Sequence, residues 1–311
     1  MIGHYSFWNV LAFGIIVLFA LLLDLHTHKA DQPISMRNAA LWSLFWLALS
    51  LGFAAFVGFS HGADDAYLFL AGYTLEKALS VDNLFVFIAI FSAFSIKDSL
   101  QHRVLYYGIV GALVLRLVFV ALGTSVLLLF DKWALTAFGL FVLWSAWKMW
   151  RQSRQENEEV EDYSHHWAVR MTQKFIPVHP HLEGHNFFVR LNGIWRATPL
   201  FLCLMVIEIA DVMFAFDSVP AVIAVTRDPF LVYTSNIFAI LGLRSMYFLL
   251  AGANRLLAHL EKSVIAVLAF IGIKMLLDVA GVIHIAPLLS LAVVLGLLLC
   301  GIAASFLYPG K

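Results

Sequence analysis

The sequence predicts an all-α membrane protein with about nine transmembrane helices, six of which form two inverted three-helix repeats. Three observations lead to this fold class. First, 62% of the 311 residues are hydrophobic and only 13% are charged, a balance far outside that of soluble domains. Second, apolar runs of about 20 residues, the length that crosses a bilayer, recur along the chain. Third, two of these runs carry matching acidic residues.

The apolar runs define nine predicted spans, numbered here in chain order. Span 1 shows no small-residue cleavage pattern, so we interpret it as a retained helix and not as a signal peptide. Spans 3 to 5 and 6 to 8 form the repeats, and spans 1, 2 and 9 stand outside them. The spans cover residues 7–25, 39–59, 66–93, 104–130, 133–150, 198–225, 231–253, 262–280 and 284–307. The predicted domains are 1–65, 66–150, a cytoplasmic polar loop at 151–197, 198–280 and 281–311.

Positive charge is distributed unevenly between the loops. The loops after spans 1, 3, 5 and 7 and the C-terminus, all on one side, hold nearly all of the Lys and Arg residues that lie in loops. The opposite side holds Lys132 and Arg227, which lie beside acids such as Asp131 and Asp228. The positive-inside rule therefore predicts a cytoplasmic C-terminus and an N-terminus outside the cell.

Spans 3 and 6 hold acidic residues at a depth where a bilayer makes charge costly. Span 6 contains CLMVIEIADVMFAFDSVPAVIAV (203–225) and span 3 contains LAGYTLEKALSVDNLFVFIAIF (70–91). Ionisable residues inside a span are by default candidates for an ion or proton pathway. The polar positions of the two stretches also correspond at an offset of 211 − 76 = 135 positions. The matched pairs are Glu76 with Asp211, Asp82 with Asp217 and Asn83 with Ser218, followed at shorter offsets by Arg116 with Arg244 and Lys148 with Lys274.

This internal symmetry indicates a transporter built from two repeats around a site at the middle of the membrane. Three spans per repeat is an odd number, so the second repeat must enter the membrane from the opposite face. A spacing of six residues leaves the two acids of each span about 120° apart on an unbroken helix. We therefore expect spans 3 and 6 to be broken or kinked near Asp82 and Asp217, and Pro220 supplies a cause in span 6.

The ligand atoms of the predicted site are those that bind hard cations. Carboxylate, amide, hydroxyl and backbone oxygens suit Mg²⁺, Ca²⁺ or Mn²⁺ and argue against copper or zinc. The expected metal ligands are Glu76, Asp82, Asn83, Asp211, Asp217 and Ser218.

Other charged groups at depth are expected to pair with the acids or to relay protons. Five acids against four bases make the predicted pocket nearly neutral when it is empty. A divalent cation overfills it unless a base swings away or the acids begin partly protonated, and buried carboxylates favour their neutral form. Proton-for-metal exchange is therefore the hypothesis for coupling. Charge pairing or proton relay is assigned to Glu208, Lys77, Arg116, Arg244 and Lys274.

The polar insert and the two cysteines indicate no further site. The acids and histidines of the insert at 151–197 follow no ligand spacing, which favours a solvated linker or surface helix over a metal site. Cys203 and Cys300 lie in apolar runs without a paired spacing, so no disulfide or thiolate site is expected. The sequence shows no nucleophile with a base, no phosphate loop and no zinc signature. We therefore predict no enzyme activity, prosthetic cofactor or nucleic-acid binding.

Five motifs carry a resemblance to a known family. They are EKALSVDN (76–83), LRLVF (115–119), EIADVMFAFDSVPAVIAVTRDPF (208–230), SNIFAILGLRSMYFLLAG (235–252) and FIGIKMLL (270–277). These motifs resemble those of the TerC family of bacterial integral membrane proteins, including its Alx-like members. The resemblance runs from about Ala39 to Leu277, but the loop at 151–197 is not matched.

This resemblance implies manganese export from the cytoplasm across the bacterial inner membrane, with links to tellurium resistance and to alkaline pH. The acidic positions of the family carry over onto Glu76, Asp82, Asp211 and Asp217. The leading interpretation is thus a secondary transporter that exports Mn²⁺. Its other expected partners are protons, the lipid bilayer and a second copy of the chain.

Two alternatives belong to other classes of protein. A retinal protein would use Lys274 with Asp82 or Asp217 as its counter-ion, but the matching lysine in the other repeat and the further acids argue against it. A non-transporting membrane scaffold or stress-resistance assembly factor would use the deep charges as structural pairs. Its polar insert would then recruit soluble partners.

Overall fold

The structure is a computed structural model that describes residues 11, 13–20, 23, 36–152, 176–191, 193–252 and 260–307. The side chains of Asp82 and Asp217 lie outside this description, although both residues belong to helices. The helices are α1 Met36–His61, α2 Ala63–Ala93, α3 Asp98–Phe130, α4 Lys132–Gln152, α5 Pro199–Val225, α6 Pro229–Leu241, α7 Leu243–Gly252, α8 Leu260–Val279 and α9 Pro287–Leu307. Residues 13–20 are helical as well, and the rest of predicted span 1 lies outside the described residues.

Four of the described helices are long and apolar enough to cross a membrane, namely α1, α3, α5 and α9. The pair α6 and α7, bent by 42°, adds a fifth if it is counted as one broken span. Helix α2 is long as well but carries Glu76, Lys77 and Asp82, so its composition alone does not identify it as a span. The prediction of a mainly helical membrane protein is confirmed, whereas the count of nine spans is not.

The helices bury two apolar clusters. The larger one joins all of the helices from α2 to α9, and the second joins residues 13–20 to α1, α2, α3 and α6. Aromatic rings hold the second cluster together: the centroid of Phe13 lies 5.7 Å from that of Phe53 and 5.9 Å from that of Phe230. Contacts between rings at these distances stabilise packing beyond the area they bury. The helical residues 13–20 are thereby fixed against α1 and α6.

Glycines bring α4 and α8 into close contact. A Cβ atom added to Gly272 would lie 2.7 Å from Cγ of Leu143, and one added to Gly139 would lie 2.9 Å from Cδ2 of Leu276. Small residues of this kind let helices in a membrane approach each other closely. The contact is reciprocal, because each glycine receives the leucine that lies four residues after the other glycine.

Helices α2 and α5 are continuous where the sequence predicted breaks. Helix α5 runs through Pro220 to Val225, and α2 runs through Asp82 to Ala93. Proline removes the hydrogen bond to the carbonyl of Phe216 and its ring crowds that carbonyl, but its fixed φ is compatible with a helix. The predicted breaks near the second acid of each pair are therefore wrong, while a kink at these positions stays a prediction.

The bend occurs instead at Gly242, between α6 and α7. Lys77 of α2 donates from Nζ to the carbonyl of Ala239 at 2.8 Å, in the last turn of α6, where carbonyls lack a helical donor. A Cβ atom at Gly242 would lie 2.8 Å from this Nζ and 3.1 Å from Cβ of Trp46. Close approach of α1 and α2 therefore requires glycine at the bend.

Replacing Gly242 with alanine is expected to lower stability by about 1–3 kcal/mol, because the added methyl must displace Trp46 and the Lys77 ammonium. The measurement is the midpoint of thermal unfolding of the protein purified in detergent. Gly296→Ala in α9 is the matched control, since a methyl there meets nothing within 4 Å and should not lower the midpoint. Equal midpoints for Gly242→Ala and the unchanged protein would contradict the close approach.

The end of the polar insert forms a β-hairpin, which the all-α prediction missed. Strand β1 (Phe188–Leu191) pairs antiparallel with β2 (Ile194–Ala197). The neighbouring Phe187 packs its ring 5.1 Å from that of Tyr107 on α3. Thr198 then donates its hydroxyl to the carbonyl of Asn186 at 2.7 Å, just before α5 begins. This part of the insert is folded against the helices, and the linker prediction for 153–175 lies outside the described residues.

Candidate ion-binding site

The buried guanidinium of Arg116, on α3, gathers oxygen atoms from three other helices. Its Nη1 donates to Glu76 on α2, to Oγ of Ser218 on α5 at 3.0 Å and to Oδ1 of Asn236 on α6 at 2.6 Å. Its Nη2 lies 3.5 Å from Oδ1 of Asp211 on α5. All five side chains are buried. The group therefore consists of one cation surrounded by two carboxylates, a hydroxyl and an amide.

Helix geometry explains why these residues meet. Asp211 and Ser218 are seven residues apart, which is close to two turns, so they share one face of α5. Helix α6 begins at a fixed point, because the carboxylate of Asp228 accepts hydrogen bonds from the backbone of Phe230 and Leu231. Two turns later Asn236 faces Arg116 and also donates from Nδ2 to the carbonyl of Val232 at 3.2 Å.

Three carboxylates near this group each keep one oxygen without a hydrogen-bond partner. These buried atoms are Oε2 of Glu76, Oδ2 of Asp211 and Oε2 of Glu208. A buried acceptor without a partner is unfavourable, so an ordered water or an ion is expected beside each of these oxygens. Oxygen atoms of this kind are the donors that a hard divalent cation prefers.

A small cavity adjoins Asp211. Its volume of about 20 Å³ is large enough for a single water molecule. Apart from Asp211 its walls are apolar and come from α2, α3, α5, α6 and α7, including Gly108, Ala112 and, on either side of the bend, Ile240 and Leu243. The cavity thus lies between Asp211 and the bent pair of helices α6 and α7.

Glu208 lies against the backbone of α3 beside this cavity. Its carboxylate is so close to Gly111 that a Cβ atom there would overlap it. Glu208 also precedes Asp211 by three residues, so both carboxylates lie on the same face of α5. The role of Glu208 in proton relay or charge pairing stays a prediction.

The other predicted site residues take different positions. Asn83 is buried on α2 but does not belong to the group around Arg116, and Arg244 is buried at the start of α7. Lys274 donates to Oγ of Ser290 on α9 at 3.0 Å. The ligand roles of Asp82 and Asp217 fall on side chains outside the description and stay predictions. No group of three or more His, Cys, Asp or Glu side chains is placed to hold a metal within the described residues.

Asn236 contacts Arg116 but was not among the residues predicted from the sequence. The predicted ligands are charged residues and the neutral residues that follow two of them, and Asn236 belongs to neither set. Its signal was the pair Ser235 and Asn236 inside the otherwise apolar run PFLVYTSNIFAIL of α6. A neutral amide in a span also needs a partner, so this pair should have been included.

Comparisons with known proteins agree on one family. Residues 61–311 match the model described as the integral membrane protein TerC family. The tellurium resistance protein TerC of Serratia marcescens is 46% identical, covering 97% of this chain and 94% of that protein. The putative membrane-bound redox modulator Alx of Escherichia coli (strain K12) is 41% identical, covering 96% and 93%. No solved structure matches the chain.

Proposed function

Since this chain belongs to the integral membrane protein TerC family, we propose that it is a secondary transporter that exports a hard divalent cation, Mn²⁺ first, from the cytoplasm. The names of the relatives specify no such cargo, and the oxygen ligands of the buried group are what support it. The observation that carries it is the pair of buried, unpartnered oxygens on Glu76 and Asp211. Both carboxylates contact the same guanidinium, that of Arg116.

The proposed architecture has nine spans and two inverted three-helix repeats. Two contacts support it. Glu76 and Asp211, which are partners in the sequence repeat, meet at one guanidinium. The reciprocal packing of Gly139 and Gly272 between α4 and α8 is the kind of contact that a two-fold relation between the repeats produces. The bent pair α6 and α7 counts as one span in this architecture.

The proposed cargo and coupling follow from charge and donor type. An all-oxygen set suits Mn²⁺, Mg²⁺ and Ca²⁺ better than copper or zinc. Protons are the proposed counter-ions, and Glu208 is the proposed relay because its carboxylate lies one helical turn from Asp211 and beside the cavity. Asp82, Asn83 and Asp217 remain proposed ligands from the sequence repeat.

The proposed location is the bacterial inner membrane, with the C-terminus in the cytoplasm. This orientation rests on the Lys and Arg residues of the loops on one side. In the folded part of the insert, Arg190 and Arg196 lie on the hairpin directly before α5, and Arg103 contacts the ring of Phe187 at 5.5 Å. These arginines place positive charge at the end of the bundle assigned to the cytoplasm.

Uptake of a panel of divalent ions into inverted vesicles, with and without a pH gradient, tests this function. The protein is expected to accumulate Mn²⁺, and Asp211→Asn is expected to reduce the rate at least about tenfold, because it removes a charged ligand that faces Arg116. The matched control is Asp278→Asn, at the 2.5 Å pair with the half-exposed Arg227. This control should transport at the normal rate. Equal rates for Asp211→Asn and the unchanged protein would contradict the proposal.

A membrane scaffold is the second candidate, and one observation favours it. Arg116 pairs with Glu76 and Asp211 as it would in a purely structural brace. The same vesicles separate the two functions. If the folded protein moves none of the ions while Asp211→Asn is less stable, the scaffold is the better account.

A further inference from the structure

We propose that the guanidinium of Arg116 is a tethered cation that occupies the ion site when the transporter is empty. It must move away from Glu76 and Asp211 before a divalent cation binds between them. This inference rests on the proposed function and adds a mechanism by which the same site is filled and emptied.

The contacts of Arg116 reproduce those that a hard cation would make. The guanidinium faces two carboxylate oxygens, the hydroxyl of Ser218 and the amide oxygen of Asn236. Ser218 was itself predicted as a metal ligand, and carboxylate, hydroxyl and amide oxygens are the ligand types of such ions. The cationic head of a side chain therefore stands among the oxygens to which the transported ion is assigned.

Charge makes the two occupants mutually exclusive. Glu76 and Asp211 carry two negative charges when ionised, which a dication alone neutralises. With the guanidinium still in contact, the same pair would face three positive charges. Like charges at contact distance repel strongly inside a protein, where water does not screen them. Ion binding is thus expected to displace Arg116 from the carboxylates.

The displaced guanidinium has another acceptor close by. Glu208 lies one helical turn before Asp211 on α5, and its Oε2 is buried without a hydrogen-bond partner. In this proposal the guanidinium moves from Asp211 to Glu208, one helical turn (~5.4 Å) along α5, and so does not enter lipid unpaired. When the ion leaves, Arg116 returns, so Glu76 and Asp211 are not left as bare charges at membrane depth. The empty transporter is thereby stabilised for its return step.

Binding of Mn²⁺ to protein purified in detergent, measured by equilibrium dialysis, tests the tethered cation. Arg116→Gln removes the competitor and is expected to tighten binding at least about fivefold, the lower range of coupling between two linked binding events. Arg116→Lys keeps a charge but lacks the planar fork of donors. Its affinity for Mn²⁺ should therefore lie between that of the unchanged protein and that of Arg116→Gln. In vesicles Arg116→Gln should lower both the KM and the maximal rate, because the ion enters readily but leaves slowly.

The matched control is Arg227→Gln, which removes an arginine from the half-exposed pair with Asp278 and should leave Mn²⁺ affinity unchanged. If Arg116→Gln and Arg116→Lys bind Mn²⁺ no more tightly than the unchanged protein does, the tethered cation is overturned. The proposal that the protein exports Mn²⁺ would still stand. If Arg116→Gln is not recovered folded, Arg116→Lys decides by the same criterion. Absence of binding in the unchanged protein and in every variant would overturn the proposed function as well.

Discussion

Replacing Glu76 with leucine is expected to destabilise the protein by about 3–5 kcal/mol, the range seen when one partner of a buried ion pair is removed. The reason is that Glu76 and Arg116 are both fully buried, with 0% of each residue exposed. Leucine would leave the guanidinium with only the 3.5 Å contact to Asp211 and two neutral acceptors. A charge in that position can neither reach water nor give up its proton.

The measurement is thermal unfolding in detergent of Glu76→Leu beside a double variant in which Arg116 is also leucine. The double variant is expected to recover only part of the loss, because it removes the lone guanidinium but leaves the Asp211 carboxylate without its arginine. Asp278→Leu is the control, since it releases the half-exposed Arg227 and the exposed His284 and should cost less than about 1 kcal/mol. Losses of equal size at Glu76 and Asp278 would show that the buried pair contributes no more than a surface pair.

Replacing Gly111 with alanine is expected to slow Mn²⁺ transport by roughly a hundredfold, the size of effect that a misplacement of about 1 Å has at a working site. A Cβ atom at Gly111 overlaps the carboxyl carbon and both oxygens of Glu208. The carboxylate must therefore move away from α3, next to the cavity that Asp211 lines. We expect the proton relay assigned to Glu208 to be lost.

The assay is Mn²⁺ uptake into inverted vesicles, normalised to the amount of folded protein. Gly52→Ala in α1 is the control, because a methyl group there meets nothing within 4 Å. It should transport at the normal rate. Normal transport by Gly111→Ala would mean that the position of the Glu208 carboxylate is unimportant for function.

The buried acids Glu76 and Asp211 could be predicted as site residues from the sequence, because charged residues inside a span are rare and are by default functional. The internal repeat paired Glu76 with Asp211, and the structure brings both to Arg116. The same reasoning could not predict which group each buried lysine or arginine contacts. Lys77 was expected to pair with an acid or to relay protons, but its ammonium donates to a carbonyl in the last turn of α6.

The bend and the hairpin could not be predicted from the sequence, because both depend on contacts between distant parts of the chain. Pro220 is the strongest local signal for a break, yet α5 continues through it. The bend instead lies at Gly242, where Trp46 and Lys77 approach the backbone from α1 and α2. Similarly, the hairpin before α5 is held by Phe187 against α3, and the polar composition of the insert concealed it.

Anomalous diffraction at the manganese absorption edge, from crystals of the protein soaked in Mn²⁺, tests most directly whether the buried carboxylates of α2 and α5 hold the ion. We predict a peak within coordinating distance of Oε2 of Glu76 and Oδ2 of Asp211, with the guanidinium of Arg116 displaced. A fully occupied peak only at the surface, for example beside His179 and Glu183, with Arg116 still bridging both carboxylates, would contradict this account.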